Sequence, residues 1–338
     1  MASLRYRKGR WQARVIRQGF APESRTFDSR NDAIMWARAI ETEIDRGVFI
    51  SLKEAERTTL SELLLRYSRE VSPSKRAAKD DIAKLKWLAK TKVAKLSLAN
   101  LTPTAIAQHR DERLKEVCTG TVLRDLAVIR SVINHARKEW GFAFENPVER
   151  VRMPPQSPHR DRVLSADEEI RLLKVLTPGP LRTADGKFGN ATRNPWVRWV
   201  MIFALETAMR RGEILTLQWK NVEIARRTAY LPITKNGRPR SVPLSSKAVE
   251  VLQTLPRSID GRVFPVTRWA MEQVFTGACQ RAGIADFRFH DLRHTATTRM
   301  AKKVPNLIEL AGITGHANLS MLKRYYHVTA EELAMKLG

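Results

Sequence analysis

The chain has 338 residues, 43% of them hydrophobic, and carries 60 Lys and Arg against 35 Asp and Glu, a net charge of +25. This length and apolar content exclude a disordered chain and suit two or three globular domains. The charge points to a polyanionic partner, with nucleic acid ahead of a ribosome-like structural role or a membrane surface.

No run approaches the roughly 18 apolar residues of a membrane span. The start, Met1 to Lys8, has no apolar core for a signal peptide. Cys118 and Cys279 lie far apart and form no metal or redox motif, so a reduced, cytoplasmic setting is expected.

Residues 1–50 open with alternating basic and apolar groups. Arg5-Tyr6-Arg7-Lys8, Gly9-Arg10-Trp11-Gln12-Ala13-Arg14-Val15 and Ser24-Arg25-Thr26-Phe27 have the period of two of strands, with Gly9, Gly19 and Pro22 between the runs. A three-stranded antiparallel sheet would pack one face and present arginine on the other. Asn31-Asp32-Ala33 then begins a helical pattern with Ala33, Trp36, Ala37 and Ile40 on one stripe. The result is a small module of DNA-binding type, with Arg5, Arg7, Lys8, Arg10 and Arg14 as candidate contacts. A solvated basic hairpin is the plainer alternative.

Residues 51–58 have the composition of a linker. Thr59-Leu60-Ser61-Glu62 is a capping-box pattern that opens a helix over Leu60–Glu70. The basic run Lys75-Arg76-Ala77-Ala78-Lys79 precedes a helix with Ile82, Leu85 and Leu88 on one face. Thr102-Pro103 starts another, with proline at its first position. A long helix runs from about Val122 to Lys138 with Leu126, Ile129, Ile133 and Ala136 as its stripe. Four helices on short connections predict a helical domain over 59–150. Lys75, Arg76 and Lys79 are candidate phosphate contacts or simply solvated. A Pro- and Arg-rich stretch without periodicity follows, in which Pro154-Pro155 stops any helix. A linker is expected over 151–162, with Arg160 as a further candidate DNA contact.

The last domain is expected over 163–338. Ser165-Ala166-Asp167-Glu168 is a second capping box, and Trp196–Glu206 reads as an apolar helix. The Gly/Pro-rich loop Thr177 to Asn194 has no functional reading. Arg226 to Val242 alternates as strands: Ala229 to Pro232, a turn at Asn236-Gly237, then Arg240 to Val242. Residues 246–338 read as helices. The expected fold is multidomain, mainly helical, with small β-sheets and no internal repeat.

Taken singly, the polar residues of this last domain are ordinary. Arg210-Arg211 with Glu213 reads as a helix end carrying a solvated ion pair, and Lys235 as a surface lysine beside a turn. His290 and Arg293 share a helix face, where they bind an anion or make a core contact. His316 after Gly315 reads as a cap. Tyr325 and Tyr326 diverge by about 100° on a helix, so one packs and one is free, with no physical ground for choosing between them.

Together, two arginines, a lysine, two histidines and a tyrosine on a basic chain describe one reaction, the attack of a tyrosine hydroxyl on a DNA phosphodiester. Two guanidiniums clamp the phosphorane with paired hydrogen bonds, usually the largest catalytic contribution. A lysine on a hairpin protonates the leaving 5′ oxygen. A histidine near neutrality accepts the tyrosine proton. The phosphotyrosine retains the bond energy, so rejoining needs no ATP, and neither cofactor nor metal is called for.

These residues resemble the tyrosine recombinase (phage integrase) family. Thr207-Ala208-Met209-Arg210-Arg211-Gly212-Glu213 resembles its Thr-Gly-x-Arg-x-x-Glu box. His290-Asp291-Leu292-Arg293-His294 resembles its His-x-x-Arg box, and Thr314-Gly315-His316 its Leu-Gly-His box. Lys235 sits where the family's hairpin lysine falls. The resemblance implies catalysis by Arg210, Lys235, His290, Arg293 and His316, with Tyr325 as nucleophile and Glu213 bracing the arginines. Ala208 stands for the family's glycine, Thr314 for its leucine, and Tyr326 for a small residue.

The resemblance also implies that 1–50 is an arm-binding or accessory module, 59–150 a core-binding domain and 163–338 the catalytic domain. The tail Ala330–Leu337 would be a short helix that packs on a neighbouring subunit. Implied partners are double-stranded DNA with specific sites, a homotetramer of this chain on DNA, and accessory DNA-bending proteins, with no membrane. The implied activity is site-specific recombination through a 3′-phosphotyrosine and a Holliday junction. Asn134-His135-Ala136-Arg137, Asn146-Pro147-Val148 and Leu205 to Arg210 look most like integrases of mobile elements and shufflon-type inversion recombinases. A type IB topoisomerase-like relaxer and a catalytically silent DNA-binding relative are the alternatives.

Overall fold

The computed structural model describes residues 2–18, 22–45, 53–158, 160–179, 194–234, 237–326 and 330–338. Its contacts divide into two units, Met1–Pro158 and His159–Gly338.

In the first unit, β1 (Ala2–Arg7), β2 (Arg10–Val15) and β3 (Glu23–Phe27) form an antiparallel sheet in chain order. Lys8 and Gly9 turn the first hairpin with φ of 50° and 81°, the pair of positive values that a type I′ turn requires. The register sets Ser3 opposite Arg14, Arg5 opposite Gln12 and Arg7 opposite Arg10. Alternation along the strands therefore puts Arg5, Arg7, Arg10 and Arg14 on one face, all exposed. The other face carries Leu4, Trp11, Ala13, Val15 and Phe27. Against it, α1 (Arg30–Asp45) lays Ala33, Trp36, Ala37, Ile40 and Ile44.

The stretch expected as a linker contains α2 (Lys53–Arg57), which buries Ala55 in the next core. One small apolar residue in a charged run gives no periodic signal. Then come α3 (Leu60–Glu70), α4 (Ala78–Leu88), α5 (Pro103–Leu114) and α6 (Thr119–Glu139). Thr59 Oγ1 accepts the Glu62 N–H at 3.2 Å while the Glu62 carboxylate accepts the Thr59 N–H at 2.7 Å, a reciprocal cap. Helix α6 begins at Thr119, ahead of the expected Val122, because Cys118 already supplies the extended N-cap. Leu60, Leu63, Leu64, Leu85, Leu88, Ile106, Leu126, Ile129 and Ile133 interlock as a fully buried core.

In the second unit, Ser165 and Glu168 cap α7 (Ala166–Val175) in the same reciprocal way. Next is α8 (Trp196–Thr207), with Val197, Val200, Met201, Phe203 and Ala204 buried. After α9 (Arg211–Leu215), β4 (Val222–Glu223), β5 (Thr228–Leu231) and β6 (Arg240–Pro243) form a second antiparallel sheet. The ladder ends where Leu231 pairs with Arg240, so residues 232–239 link the strands, and of the turn expected at Asn236-Gly237 the asparagine lies outside the described residues. The next pair would be Pro232 and Pro239, and neither has an N–H to extend the ladder. Gly237 (φ 77°) instead closes a turn inside this connection, donating its N–H to the Thr234 carbonyl at 3.0 Å.

The chain continues through α10 (Ser246–Thr254), α11 (Arg268–Arg281), α12 (Phe289–Lys303), α13 (Leu307–Thr314) and α14 (Ala330–Leu337). Helices α10 and α12 pack on α8, the centre of this core. The catalytic lysine expected at Lys235 and most of the loop from Thr177 to Asn194 lie outside the described residues. Among the described residues, no helix is long and apolar enough to cross a membrane.

Leu126 is fully buried between the helices of the first unit. Leu126→Ala should therefore cost about 2–5 kcal/mol through lost transfer energy and an unfilled cavity. Urea unfolding reads this directly, and a variant as stable as wild type would contradict the packing described.

Candidate active site

Helix α8 ends at Ala208, which takes a left-handed φ of 50°. That conformation costs an L-residue roughly 1–2 kcal/mol. Burying the alanine methyl returns roughly 0.8 kcal/mol, which explains how alanine is tolerated at this corner. The corner matters because the Ala208 carbonyl accepts a hydrogen bond from Arg293 Nη1 at 2.6 Å.

Arg210 follows as the N-cap of α9. Its backbone N–H and its Nη1 both donate to the Glu213 carboxylate at 3.0 Å. Arg240, at the start of β6, grips the same carboxylate through Nη1 and Nη2, each at 2.9 Å. Glu213 is only 6% exposed. Burial pushes its pKa up most strongly, but the Arg240 hydrogen bonds, the Arg210 N–H and the two positive charges outweigh that and hold the pKa at about 2.

The Arg240 guanidinium also lies against Gly315, where a Cβ would come within 2.8 Å of Cζ. Gly315 has φ of 70°. The glycine of this box is thus required twice, by its backbone and by the arginine stacked on it. Its carbonyl accepts from Arg210 Nη2 at 3.1 Å.

Arg293 projects from α12 and is 5% exposed. Its Nη2 donates to the Thr314 carbonyl at 2.7 Å and lies 3.4 Å from His316 Nε2. Burial first, then the charge of Arg210, lowers its pKa to about 9, so it stays cationic at neutral pH. The Thr314 hydroxyl donates to the Leu310 carbonyl at 2.7 Å, leaving its lone pair for His316 Nδ1 at 2.7 Å. That assigns the proton of His316 to Nδ1 and turns the Nε2 lone pair toward Arg293. Burial, then Arg293 and Arg210, lowers His316 to about 3, so the ring is neutral.

The two tyrosines part company on short 3₁₀ geometry. Tyr326 donates its hydroxyl to the Val304 carbonyl and packs on Ala301, Leu310 and Leu322. Tyr325 packs on the same cluster but also lines a cleft of about 440 Å³ together with Arg160, Arg210, His290, Arg293, His294, His316 and Arg324. Its hydroxyl lies 2.6 Å from His294 Nδ1 and accepts from Arg324 Nη2 at 3.2 Å. Burial raises its pKa against the opposing pull of Arg324 and Arg293.

The cleft thus gathers Arg210, His290, Arg293, His316 and Tyr325 of the expected set, with Glu213 behind them. Arg160, expected as a DNA contact, spends its guanidinium on Asp286 at 2.8 Å and Asp291 at 2.9 Å. Arg5, Arg7, Lys8, Arg10, Arg14, Lys75, Arg76 and Lys79 belong to the other unit. There Lys75 bonds Asp81 at 2.7 Å and Arg10 bonds Asp28 at 2.6 Å. The sequence reading missed Arg240, His294 and Arg324. His294 had a usable signal, since it follows His290 by one helical turn on the same face. Arg240 had none, because its partners are brought to it only by the fold.

Comparison with known proteins places the chain in a family. Residues 163–332 match the model of the phage integrase family. The shufflon-specific DNA recombinase of Escherichia coli is 37% identical over 82% of this chain and 71% of that protein. Among solved structures, a lambda integrase tetramer bound to a Holliday junction superposes with a TM-score of 0.65 at 19% identity, covering 95% of this chain and 94% of that one. The Tn1549 transposon integrase in complex with transposon right end DNA gives 0.65 at 16% identity, over 83% and 98% of the two chains. The chain belongs to the phage integrase family. It is a tyrosine site-specific recombinase, an enzyme that acts on DNA.

Glu213→Gln removes the buried charge that pairs the half-buried Arg240 and should cost about 3–5 kcal/mol near neutrality. The folded carboxylate titrates at about 2, below its ordinary 4.5. Its contribution is therefore present above that ordinary value and lost as pH falls toward the folded one. Urea unfolding of both proteins should show the gap closing over that acid window, and a gap independent of pH would contradict the ionised bridge.

Proposed function

We propose that the cleft cuts one DNA strand at a time within a specific site, exchanges it with a second site through a Holliday junction, and reseals it. The observation that carries this reading is Tyr325, whose hydroxyl opens into the same cleft as Arg210 and Arg293. The tyrosine oxygen attacks phosphorus while the bond to the 5′ oxygen breaks, leaving a 3′-phosphotyrosine and a 5′-hydroxyl. Arg210 and Arg293 are already fixed, by Glu213 and by backbone carbonyls. They stabilise the developing charge without reorganising. Lys235 protonates the leaving oxygen, and His290 and His316 assist proton movement and charge stabilisation, as the family resemblance implies.

The basic face formed by Arg5, Arg7, Arg10 and Arg14 suits phosphate contacts by an arm-binding module. The helical region around 59–150 would grip the core site, with 151–162 as the linker before the catalytic domain. Helix α14 leaves Met335 and Leu337 exposed, which supports docking on a neighbouring copy in a homotetramer. Accessory DNA-bending proteins would set site pairing. Likeness to a shufflon recombinase supports inversion among the possible outcomes. The setting proposed is the cytoplasm, on the nucleoid.

The test uses a supercoiled plasmid carrying two copies of a site selected by binding from random DNA. Wild type should exchange strands between the copies, and Tyr325→Phe should not. Relaxation of supercoils with no exchange would select a topoisomerase-like activity instead. Affinity should fall steeply as salt rises, through counterion release, and a flat salt response would contradict extensive phosphate contact.

A further inference from the structure

We propose that His294, the histidine directly after the His-x-x-Arg box, is the base that takes the Tyr325 proton during cleavage and returns it during rejoining. The inference rests on the reading of Tyr325 as nucleophile. Three histidines line the cleft, and the fold gives them different work. His316 is committed to Thr314 through Nδ1 and to Arg293 through Nε2. His290 is exposed on α12 and stands edge-on to His294, with ring centroids 5.4 Å apart. His294 alone of the three is placed against the phenol in the hydrogen bonds described, with Nδ1 2.6 Å from the Tyr325 oxygen and the two rings only 30° from parallel.

The direction of that bond follows from Arg324. A guanidinium only donates, so Arg324 Nη2 at 3.2 Å occupies a lone pair of the phenol oxygen. The phenolic proton is left to point at His294 Nδ1. A base must also begin unprotonated. Burial first, then Arg324 and His290, lowers His294 to about 4, so its ring is neutral near neutrality.

Burial holds the proton on the tyrosine against the pull of Arg324 and Arg293, and the surrounding cations keep His294 a weak base until DNA arrives. An imidazolium at His294 faces Arg324 on one side, His290 and Arg293 on its own helix, and His316 beyond, with Asp291 opposing them. The scissile phosphate brings a negative charge into this cluster and makes His294 a stronger base. As the tyrosine oxygen bonds phosphorus and the bond to the 5′ oxygen breaks, the phenolic proton passes to Nδ1 and the leaving oxygen takes its proton from Lys235. On rejoining, the 5′-hydroxyl attacks, its proton returns to Lys235, and His294 gives its proton back to the departing phenolate.

The experiment measures single-turnover formation of the covalent adduct on a nicked duplex bearing the selected site. His294→Ala should bind that DNA as wild type does, which also reports that it folds, and should react about 10²–10⁴-fold more slowly. Added imidazole should restore the rate at least tenfold. The acid limb of the wild-type pH profile, where His294 protonates and activity falls, should vanish in the alanine variant and return with imidazole. His294→Asn keeps a polar contact with the phenol but takes no full proton, so it should be as slow as alanine. A wild-type rate in either variant, or a slow alanine variant that ignores imidazole, overturns the assignment. Wild type that forms no adduct removes the Tyr325 reading and this inference with it.

Discussion

The carboxylate of Glu213 accepts four hydrogen bonds from two arginines, and the cationic side of the cleft is built on it. Arg210, Arg240 and Arg293 crowd into a buried region where like charges repel far more strongly than in water. Glu213 bridges two of them, Arg210 and Arg240, and offsets one of the three charges. The carbonyls of Ala208, Thr314 and Gly315 take the remaining directed donors of Arg210 and Arg293. The arrangement fixes the guanidiniums before substrate arrives and leaves a surplus of positive charge. In the proposed reaction a phosphate, and still more a phosphorane, would supply the missing anion, and the static network would become a catalytic one.

The same network ties sequence boxes that are far apart in the chain. Arg240 touches the first arginine box through Glu213 and the glycine of the last box through its stacked face. It also begins the strand that follows the loop bearing Lys235. The alanine and threonine that depart from the family pattern are absorbed locally. Ala208 keeps the left-handed corner and its carbonyl acceptor, and Thr314 adds a hydroxyl that fixes the His316 tautomer.

Much of this was legible where the signal is local. Capping residues at Thr59, Thr102 and Ser165 mark helix starts because their oxygen atoms answer nearby N–H groups. The four-helix pattern shows through its apolar stripes. The choice between Tyr325 and Tyr326 came from the family spacing and not from periodicity, because this segment is not an α-helix. Tyr325 ends a 3₁₀ turn and Tyr326 is extended, so their separation is set by tertiary packing. The partners of Arg160 were hidden for a related reason: Asp286 and Asp291 lie more than a hundred residues away in the chain. Helix α2 went unseen because Ala55 alone carries its burial.

The central claim is that the fold presents Tyr325 to phosphorus and retires Tyr326 to a structural role. The most direct measurement is covalent trapping on a nicked duplex bearing the selected site, comparing wild type, Tyr325→Phe and Tyr326→Phe. The account predicts that Tyr325→Phe forms no adduct while Tyr326→Phe retains it. An adduct that survives Tyr325→Phe and disappears in Tyr326→Phe would contradict the sorting of the two tyrosines on which the site is built.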